Sequence, residues 1–214
     1  MAKQTTAKQT AIVIKAPNFK TAVFRIIGTA PLVMCKFSAK VKAQMMADQE
    51  KGSQGKKGKA KEPKDFKAMY EASMHRDKAG WVGMPASAFR AAMISACRLC
   101  GFKMTIAKLS VFVEADGMDA EEGTPLVKVE GTPRQVEHAV RNANGSIDIH
   151  ARAMFDTWAM KLRVRYDADQ FSDIDLANLL MRAGMQVGIG EGRPDSRMSA
   201  GMGWGTFTLE TPKK

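Results

Sequence analysis

Cysteine, histidine and long apolar runs are all scarce in this sequence, and each shortage excludes a class of protein. The 214 residues include 3 cysteines and 3 histidines. Three cysteines are too few, and oddly counted, for a disulfide scaffold. No stretch approaches the roughly 18–20 consecutive apolar residues that a membrane-spanning helix needs, and the N-terminal MAKQTTAKQT lacks the apolar core of a secretion signal. These absences predict a cytoplasmic protein, and we expect no bound metal or other cofactor.

Acidic residues are scarce in the first third of the chain, and the excess positive charge lies there. Residues 1–80 contain 17 Lys+Arg against 6 Asp+Glu, a net charge of +11, whereas residues 81–214 contain 16 of each. The whole chain has the same net charge of +11 and a pI of about 9.7. A charge balance of this kind favours an anionic partner.

A lysine-rich segment at about 38–80 lies within this basic third of the chain and includes KGSQGKKGKAKEPKDFK. It contains ten lysines and few large apolar residues, which predicts a mobile loop with helical turns near its ends. Two interpretations stay open. The segment is either a solvated linker or a basic loop that orders on a polyanion, and the second would make Lys56, Lys57 and Lys59 nucleic-acid contacts.

Apolar periodicity divides the remainder of the chain into strands and helices. GMPASAFRAAMISACRLCG (83–101) and FSDIDLANLLMRAGM (171–185) have helical spacing, and Ser172 with Asp175 resembles a capping box at the start of the second helix. AMKLRVRYD (159–167) alternates strictly between apolar and basic residues, as a strand with one buried face does. Further strands are predicted at 21–37 (one or two strands), 108–116 and 204–210.

The order of these elements predicts an α+β fold. Strand, helix, strand, strand, helix, strand is the order of a ferredoxin-like or RRM-like β-α-β-β-α-β core, in which two helices cover one face of a four-stranded antiparallel sheet. Residues 1–18 are predicted to be a polar arm, and residues 19–210 a single domain with insertions at about 38–80 and 117–157. The uncovered face of such a sheet is a common binding site for single-stranded nucleic acid.

The predicted strand at 159–167 has a basic face that suits a phosphate backbone. The alternation places three cations on that face, and the competing interpretation is an ordinary solvated surface. Aromatic residues on the candidate strands are few, and we therefore expect recognition of the backbone with little base reading. The three cations are Lys161, Arg163 and Arg165.

Glycine is concentrated in VGIGEGRPDSRMSAGMGWGTFTLE (187–210), between the second helix and the last strand. Such backbone approaches a ligand closely, and its amides can cradle phosphate oxygens while Arg193 or Arg197 adds charge-assisted hydrogen bonds. A phosphate-binding Walker motif is excluded because no Gly-Lys-Ser or Gly-Lys-Thr follows. A purely structural loop is the alternative.

Two of these segments resemble motifs of the RAMP superfamily. VGMPASAFRAAMISACR is similar to the start of its first helix, and GIGEGRPDSRMSAGMGWGTFTL to its glycine-rich loop and final strand. The resemblance is closest to the repeating backbone subunits of CRISPR effector complexes. It implies a modified RRM-like domain that binds guide RNA through its phosphates and assembles into a helical filament, with residues 117–157 as a thumb-like insertion. By position, the implied backbone contacts are Ser87, Arg90, Gly188, Gly190, Arg193 and Arg197.

Catalytic patterns are sparse, so we expect a binding protein and no enzyme. His75, His138 and His150 are scattered, and only His150, on a predicted strand beside Arg152, makes a case for acid/base chemistry. Arg152 is also counted as a candidate nucleic-acid contact. Two alternatives stay open: an RNA-cleaving RAMP endonuclease, and a repurposed viral or plasmid-borne structural or interaction protein that binds single-stranded DNA or an effector complex.

Overall fold

The computed structural model describes residues 14–37, 39–50, 63–141, 145–196 and 200–210. The strands are β1 (Phe19–Gly28), β2 (Leu32–Val33), β3 (His75–Arg76), β4 (Val82–Pro85), β5 (Val111–Glu114), β6 (Gly117–Met118), β7 (Pro125–Lys128), β8 (Arg134–Arg141), β9 (Ile147–Phe155), β10 (Ala159–Asp167) and β11 (Phe207–Leu209). The helices are α1 (Ala39–Glu50), α2 (Phe66–Ala72), α3 (Ala86–Cys100), α4 (Met104–Ser110) and α5 (Asp173–Arg182), and a π-helical turn follows α5 at Ala183–Val187. The protein is therefore a mixed α+β protein with antiparallel sheets, as predicted.

The central sheet contains four antiparallel strands in the order β11, β1, β10, β5. Val23 of β1 lies opposite Arg163 of β10, which in turn lies opposite Glu114 of β5. The alternation in the sequence of β10 is confirmed, because Leu162 and Val164 are fully buried while the residues that alternate with the buried ones face outwards. Strict alternation thus directs one face of the sheet to the core.

Helices α3 and α5 cover the inner face of this sheet. Phe89 of α3 is fully buried and its ring lies 6.3 Å from that of Phe207 on β11, while α5 contributes Leu176 and Leu180 to the same apolar cluster. The predicted capping box is confirmed, with Ser172 accepting from an amide of the first turn of α5. The outer face of the sheet is exposed.

Two predicted boundaries were wrong. The strand expected over 108–116 is α4 followed by the shorter β5, because the Arg90 guanidinium donates to the carbonyl oxygens of Lys108 and Val111 and holds a helical turn against α3. The second helix does not end at Gly184, where a helix-ending glycine would be expected, but continues as the π-helical turn. A Cβ at Gly184 would lie 2.2 Å from the carbonyl oxygen of Phe207, so this glycine allows the close approach of β11.

The two insertions interleave into one structural unit, which we call the insertion lobe: the described parts of residues 29–85 and 115–158. Strand β2, just before the first insertion, pairs with β9 of the second, and β4, just after the first insertion, pairs with β7 of the second. Helix α2 packs on β9. Within 117–157, β8 and β9 form an antiparallel hairpin. The sequence predicted two separate excursions, and the structure joins them through two small sheets.

A buried ionic cluster fastens the two insertions together. The Lys36 ammonium lies 3.1 Å from the Asp119 carboxylate and 2.7 Å from Glu121, and the His75 ring nitrogen Nδ1 lies 3.1 Å from Asp119. Asp119 is fully buried and also accepts hydrogen bonds from the backbone amides of Glu121 and Glu122. Burial would raise the pKa of Asp119, but these hydrogen bonds and the charge of Lys36 lower it to about 2.

Candidate nucleic-acid interface

The outer face of β10 carries the predicted row of cations. Lys161 and Arg165 are exposed and form no ion pair with a described residue, whereas Arg163 lies 2.8 Å from Asp116 and 3.6 Å from Glu114. Residues of one strand face repeat every second position, about 6.6 Å apart. The row therefore offers two uncompensated charges, with a partly neutralised one between them.

An aromatic and cationic cluster at one end of this face was not predicted. The rings of Phe19 and Phe112 lie 5.8 Å apart, and the Arg165 guanidinium lies 5.4 Å and 5.2 Å from their centres. The Arg90 guanidinium covers Phe112 at 5.0 Å. The sequence placed Phe112 on a predicted strand. Phe19 lies at the boundary of the polar arm, and no sequence pattern around it predicted a place on the sheet. Guanidinium groups over ring faces are attracted by the ring quadrupole, so this cluster keeps Arg165 close to the sheet surface.

The start of α3 and the glycine-rich segment form opposite walls of one cleft of about 640 Å³. One wall comes from 85–95, including Pro85 and Ala88, and the other from 187–196. Ser87 is exposed in the first turn of α3. These two segments, about a hundred residues apart in the chain, are the ones that carry the family resemblance.

The glycines of this cleft wall adopt backbone conformations that other residues rarely adopt. Gly188 and Gly190 have φ angles of 70° and 78°. A Cβ at Gly190 would lie 2.6 Å from the carbonyl oxygen of Val33, so the loop is pressed against the insertion lobe. Arg193 donates back to the carbonyl oxygen of Gly190 at 3.2 Å, which stabilises the loop from within.

The far end of the loop is tied to α3 through a single carboxylate. Asp195 lies 2.7 Å from Arg98 and accepts a hydrogen bond from the Ser95 hydroxyl. These hydrogen bonds lower the pKa of Asp195 below its ordinary value. The loop therefore presents one wall of the cleft in a defined position.

Arg152 does not face the solvent but is paired inside the protein. Its Nε lies 2.7 Å from a carboxylate oxygen of Glu191, and the other oxygen lies 3.2 Å from the His138 ring nitrogen Nε2. Burial would raise the pKa of Glu191, but Arg152 and His138 outweigh it and lower the pKa. This triad joins the glycine-rich loop to the β8–β9 hairpin.

His150 belongs to the same cluster. It lies directly opposite His138 across the hairpin, with its Nδ1 2.9 Å from the Arg152 guanidinium and its Nε2 3.5 Å from the Asp148 carboxylate. Burial, followed by the charge of Arg152, lowers the pKa of His150. Its ring is therefore neutral near pH 7, in the state that accepts a proton.

Four predicted contact residues lie outside the described residues, namely Lys56, Lys57, Lys59 and Arg197. The lysine-rich segment is described at its N-terminal end, as α1, and again from residue 63 onwards, beside β9. There Lys64 contacts the Asp148 carboxylate and donates to the carbonyl oxygen of Ile149 at 2.9 Å, both on β9. The basic segment therefore rejoins the described chain beside the hairpin.

Comparison with known proteins adds no relative. The chain matches no protein-family model, and no curated protein shows significant sequence similarity to it. Among the described residues, no group of three or more His, Cys, Asp and Glu side chains is arranged to hold a metal ion. No described helix is both long enough and apolar enough to cross a membrane.

Proposed function

We propose that this protein is a non-catalytic binding protein for single-stranded nucleic acid, preferring RNA, that assembles along the strand as a RAMP-type backbone subunit. In this proposal the backbone phosphates contact the glycine-rich loop, the start of α3 and the outer face of β10. The other partners are further copies of the same chain and, in an effector complex, other subunits.

The observation that carries the proposal is the meeting of two distant segments at one cleft. The motif-bearing start of α3 and the loop containing Gly188 and Gly190 both line this cleft, as does Arg193, whereas the exposed Ser87 lies outside its lining. Glycine-rich backbone beside a cleft suits a ligand whose main chain must approach closely.

The topology of the central sheet supports the same proposal. Its four strands follow one another along the chain as β1, β5, β10 and β11. Across the sheet, the fourth of them lies beside the first, then come the third and the second, with α3 and α5 on one face. We infer that this is a ferredoxin-like core with the two motifs on its first helix and after its second. Such a core leaves one sheet face for a nucleic acid strand.

The salt dependence of binding tests the proposal most directly. A fluorescent oligouridylate should bind with an affinity that falls as salt rises, with a slope of about 0.7 per phosphate contact. The double variant Lys161→Gln/Arg165→Gln should weaken binding and reduce that slope, because both cations are exposed on the sheet face. The matched control Arg134→Gln/Arg182→Gln removes two charges elsewhere and should leave the slope unchanged. Absence of binding to any single-stranded RNA or DNA would contradict the proposal.

Assembly along the strand is tested by electron microscopy of the protein with RNA, before and after nuclease treatment. We expect arcs or filaments that collapse when the RNA is digested, with extracted RNA protected in lengths that are multiples of one footprint. Filaments that survive nuclease would instead favour an interaction protein that assembles on its own.

Metal-independent RNA cleavage is a second candidate function, favoured by the histidine pair on the hairpin. General acid/base cleavage needs positioned side chains that can transfer protons, and His138 and His150 lie opposite each other beside the Arg152 guanidinium. Incubation of labelled RNA with the protein and a chelator should then give discrete products that disappear in His150→Ala. Intact RNA after long incubation would remove this candidate.

A further inference from the structure

The cleft described above has a carboxylate on its wall, which conflicts with the binding of a polyanion. Glu191 lines the cleft, between the loop glycines. A phosphate that approached this position would meet a negative charge at short range. If nucleic acid occupies the cleft, this charge must be moved or compensated.

The donors that could bind a phosphate lie directly behind Glu191. Arg152 and His138 contact its two carboxylate oxygens, and neither lines the cleft. Their side chains are 13% and 14% exposed, and that of Glu191 is 19% exposed, so the carboxylate screens both donors from solvent. A guanidinium and an imidazole here donate to the two oxygens of a carboxylate. Two oxygens of a phosphate can accept hydrogen bonds from the same donors.

Arg152 has donor capacity beyond what Glu191 uses. A guanidinium carries five N–H donors. That of Arg152 donates to Glu191, to Nδ1 of His150 at 2.9 Å and to the carbonyl oxygen of Ala151 at 3.4 Å. A ligand with more acceptor oxygens than a carboxylate would therefore find further donors on this group.

The chain around Glu191 permits its side chain to leave. Gly190 and Gly192, with φ angles of 78° and 71°, stand on either side of it and carry no side chain that would block rotation into the cleft. The loop remains fixed at its far end, where Asp195 contacts Arg98 of α3. Rotation of the Glu191 side chain thus exposes the donors of Arg152 and His138 without unfolding the loop.

We propose that Arg152 and His138 form an anion site that Glu191 occupies in the unliganded protein, and that a backbone phosphate of the bound strand replaces Glu191 there. The identity of the ligand rests on the proposed function, whereas the anion site itself rests on the geometry of the triad. The predicted contact by Arg152 is thereby retained, but only after Glu191 has moved.

The substitution Glu191→Gln tests the proposal by removing the competing charge while keeping the size of the side chain. Binding of fluorescent oligouridylate should tighten by about fivefold or more, the usual lower range for coupling between two sites. Glu137→Gln removes an exposed charge from the same hairpin and should bind as the unaltered protein does. Equal or weaker binding by Glu191→Gln would overturn the proposal and make Glu191 a structural tie.

The unaltered protein provides a second readout that does not depend on the variant folding. Trp204 packs edge-on against the His138 ring at 5.4 Å, so its fluorescence should change as oligouridylate is added, and Trp204→Phe should lose that change. The Arg152 Nε–H resonance should shift at the same concentrations. An Arg152 resonance that stays constant through saturation would overturn the proposal.

Pyrophosphate separates failure of this site from failure of the proposed function. If no form of the protein binds oligonucleotides, the proposed function fails, and the anion site is judged on pyrophosphate alone. Binding of pyrophosphate to Glu191→Gln that is lost in Glu191→Gln/Arg152→Gln supports the site. No binding to Glu191→Gln, or equal binding to both, refutes it.

Discussion

The central sheet with its two helices and the insertion lobe share one apolar cluster but differ in what else they bury. In the central unit, β10 and α3 bury uncharged side chains such as Leu162 and Phe89. The lobe adds Phe155 to the same cluster and also buries charge, with Lys36 and Asp119 almost completely inaccessible. A buried ion pair is costly to form and very costly to break, while apolar burial adds up over many contacts.

This difference predicts how the two regions respond to damage. Loss of apolar volume in the central unit should lower the stability of the whole chain, because its strands span the sheet. Loss of one charge in the lobe should open the lobe first, because the remaining charge is left without its partner. The loop containing Glu191 and Gly205 connects the two regions and should transmit changes between them.

The largest effect is expected from Leu162→Ala in the central sheet. This side chain is fully buried, and its removal leaves a cavity that should cost about 2–5 kcal/mol of unfolding free energy. Urea denaturation followed by far-UV circular dichroism measures it. Leu109→Ala removes the same atoms from a side chain that is 75% exposed and should cost less than about 0.5 kcal/mol. Similar midpoints for the two variants would contradict the assignment of the core.

A somewhat smaller effect is expected from Asp119→Ala in the lobe. Lys36 keeps Glu121 as a partner but loses the buried carboxylate, and we expect a cost of about 3 kcal/mol. Hydrogen exchange should accelerate at the amides of Lys36 and Ala120 while those of β1 and β10 stay protected. Equal acceleration in both regions would show that lobe and sheet unfold as one unit, and the comparison would fail.

The connection between the regions is tested by a pair of glycines with similar backbone conformation. Gly203 and Gly205 have φ angles of 77° and 67°, but a Cβ at Gly205 would lie 1.8 Å from the carbonyl oxygen of Ile189, whereas Gly203 has open space. Gly203→Ala should cost about 1–2 kcal/mol for the left-handed conformation. Gly205→Ala should cost about 1 kcal/mol more, because the backbone must shift. Equal thermal midpoints would show that the loop repacks freely.

Acid should loosen the lobe before the central sheet. Burial lowers the pKa of His75 more than Asp119 raises it, so the folded protein favours the neutral ring. The contribution of His75 to folding stability is therefore complete above about pH 6.5 and is lost as the pH falls. Asp119, with a pKa of about 2, contributes about 2 kcal/mol that is lost as the pH falls from about 4 to 2. Protection factors of lobe amides, which correct for the pH dependence of intrinsic exchange, should fall before those of β10 as the pH is lowered. In Asp119→Asn the lower part of this change should disappear.

Sequence patterns predicted elements whose stabilising contacts are local or periodic. The alternation of β10, the apolar stripe of α3 and the capping box at Ser172 each repeat within a few residues, and all three are confirmed. The short helix α4 was missed because it depends on Arg90, eighteen residues away from Lys108. The π-helical turn was missed because it depends on the approach of β11 to Gly184.

The candidate site was predicted to a similar extent. The row on β10 follows from alternation alone, and the cleft walls follow from two quoted motifs. The partners of the cations did not follow: Arg152 faces Glu191 and Arg163 faces Asp116, and neither pairing has a sequence signature. Phe19 was missed because an aromatic residue at the edge of a polar arm looks like the beginning of a strand only when the neighbouring strands are known.

By itself, the sequence determined which residues alternate along β10, where α5 begins, and that the positive charge lies in the first third of the chain; the helix predicted from residue 83 begins only at Ala86, after β4. These properties depend on side-chain spacing and composition, which folding does not alter. Only the tertiary structure decided that the two insertions form one lobe, that Lys36 is buried against Asp119, and that Glu191 occupies the donors of Arg152. Those outcomes depend on contacts between residues tens of positions apart, and long-range contacts leave no periodic trace in one sequence.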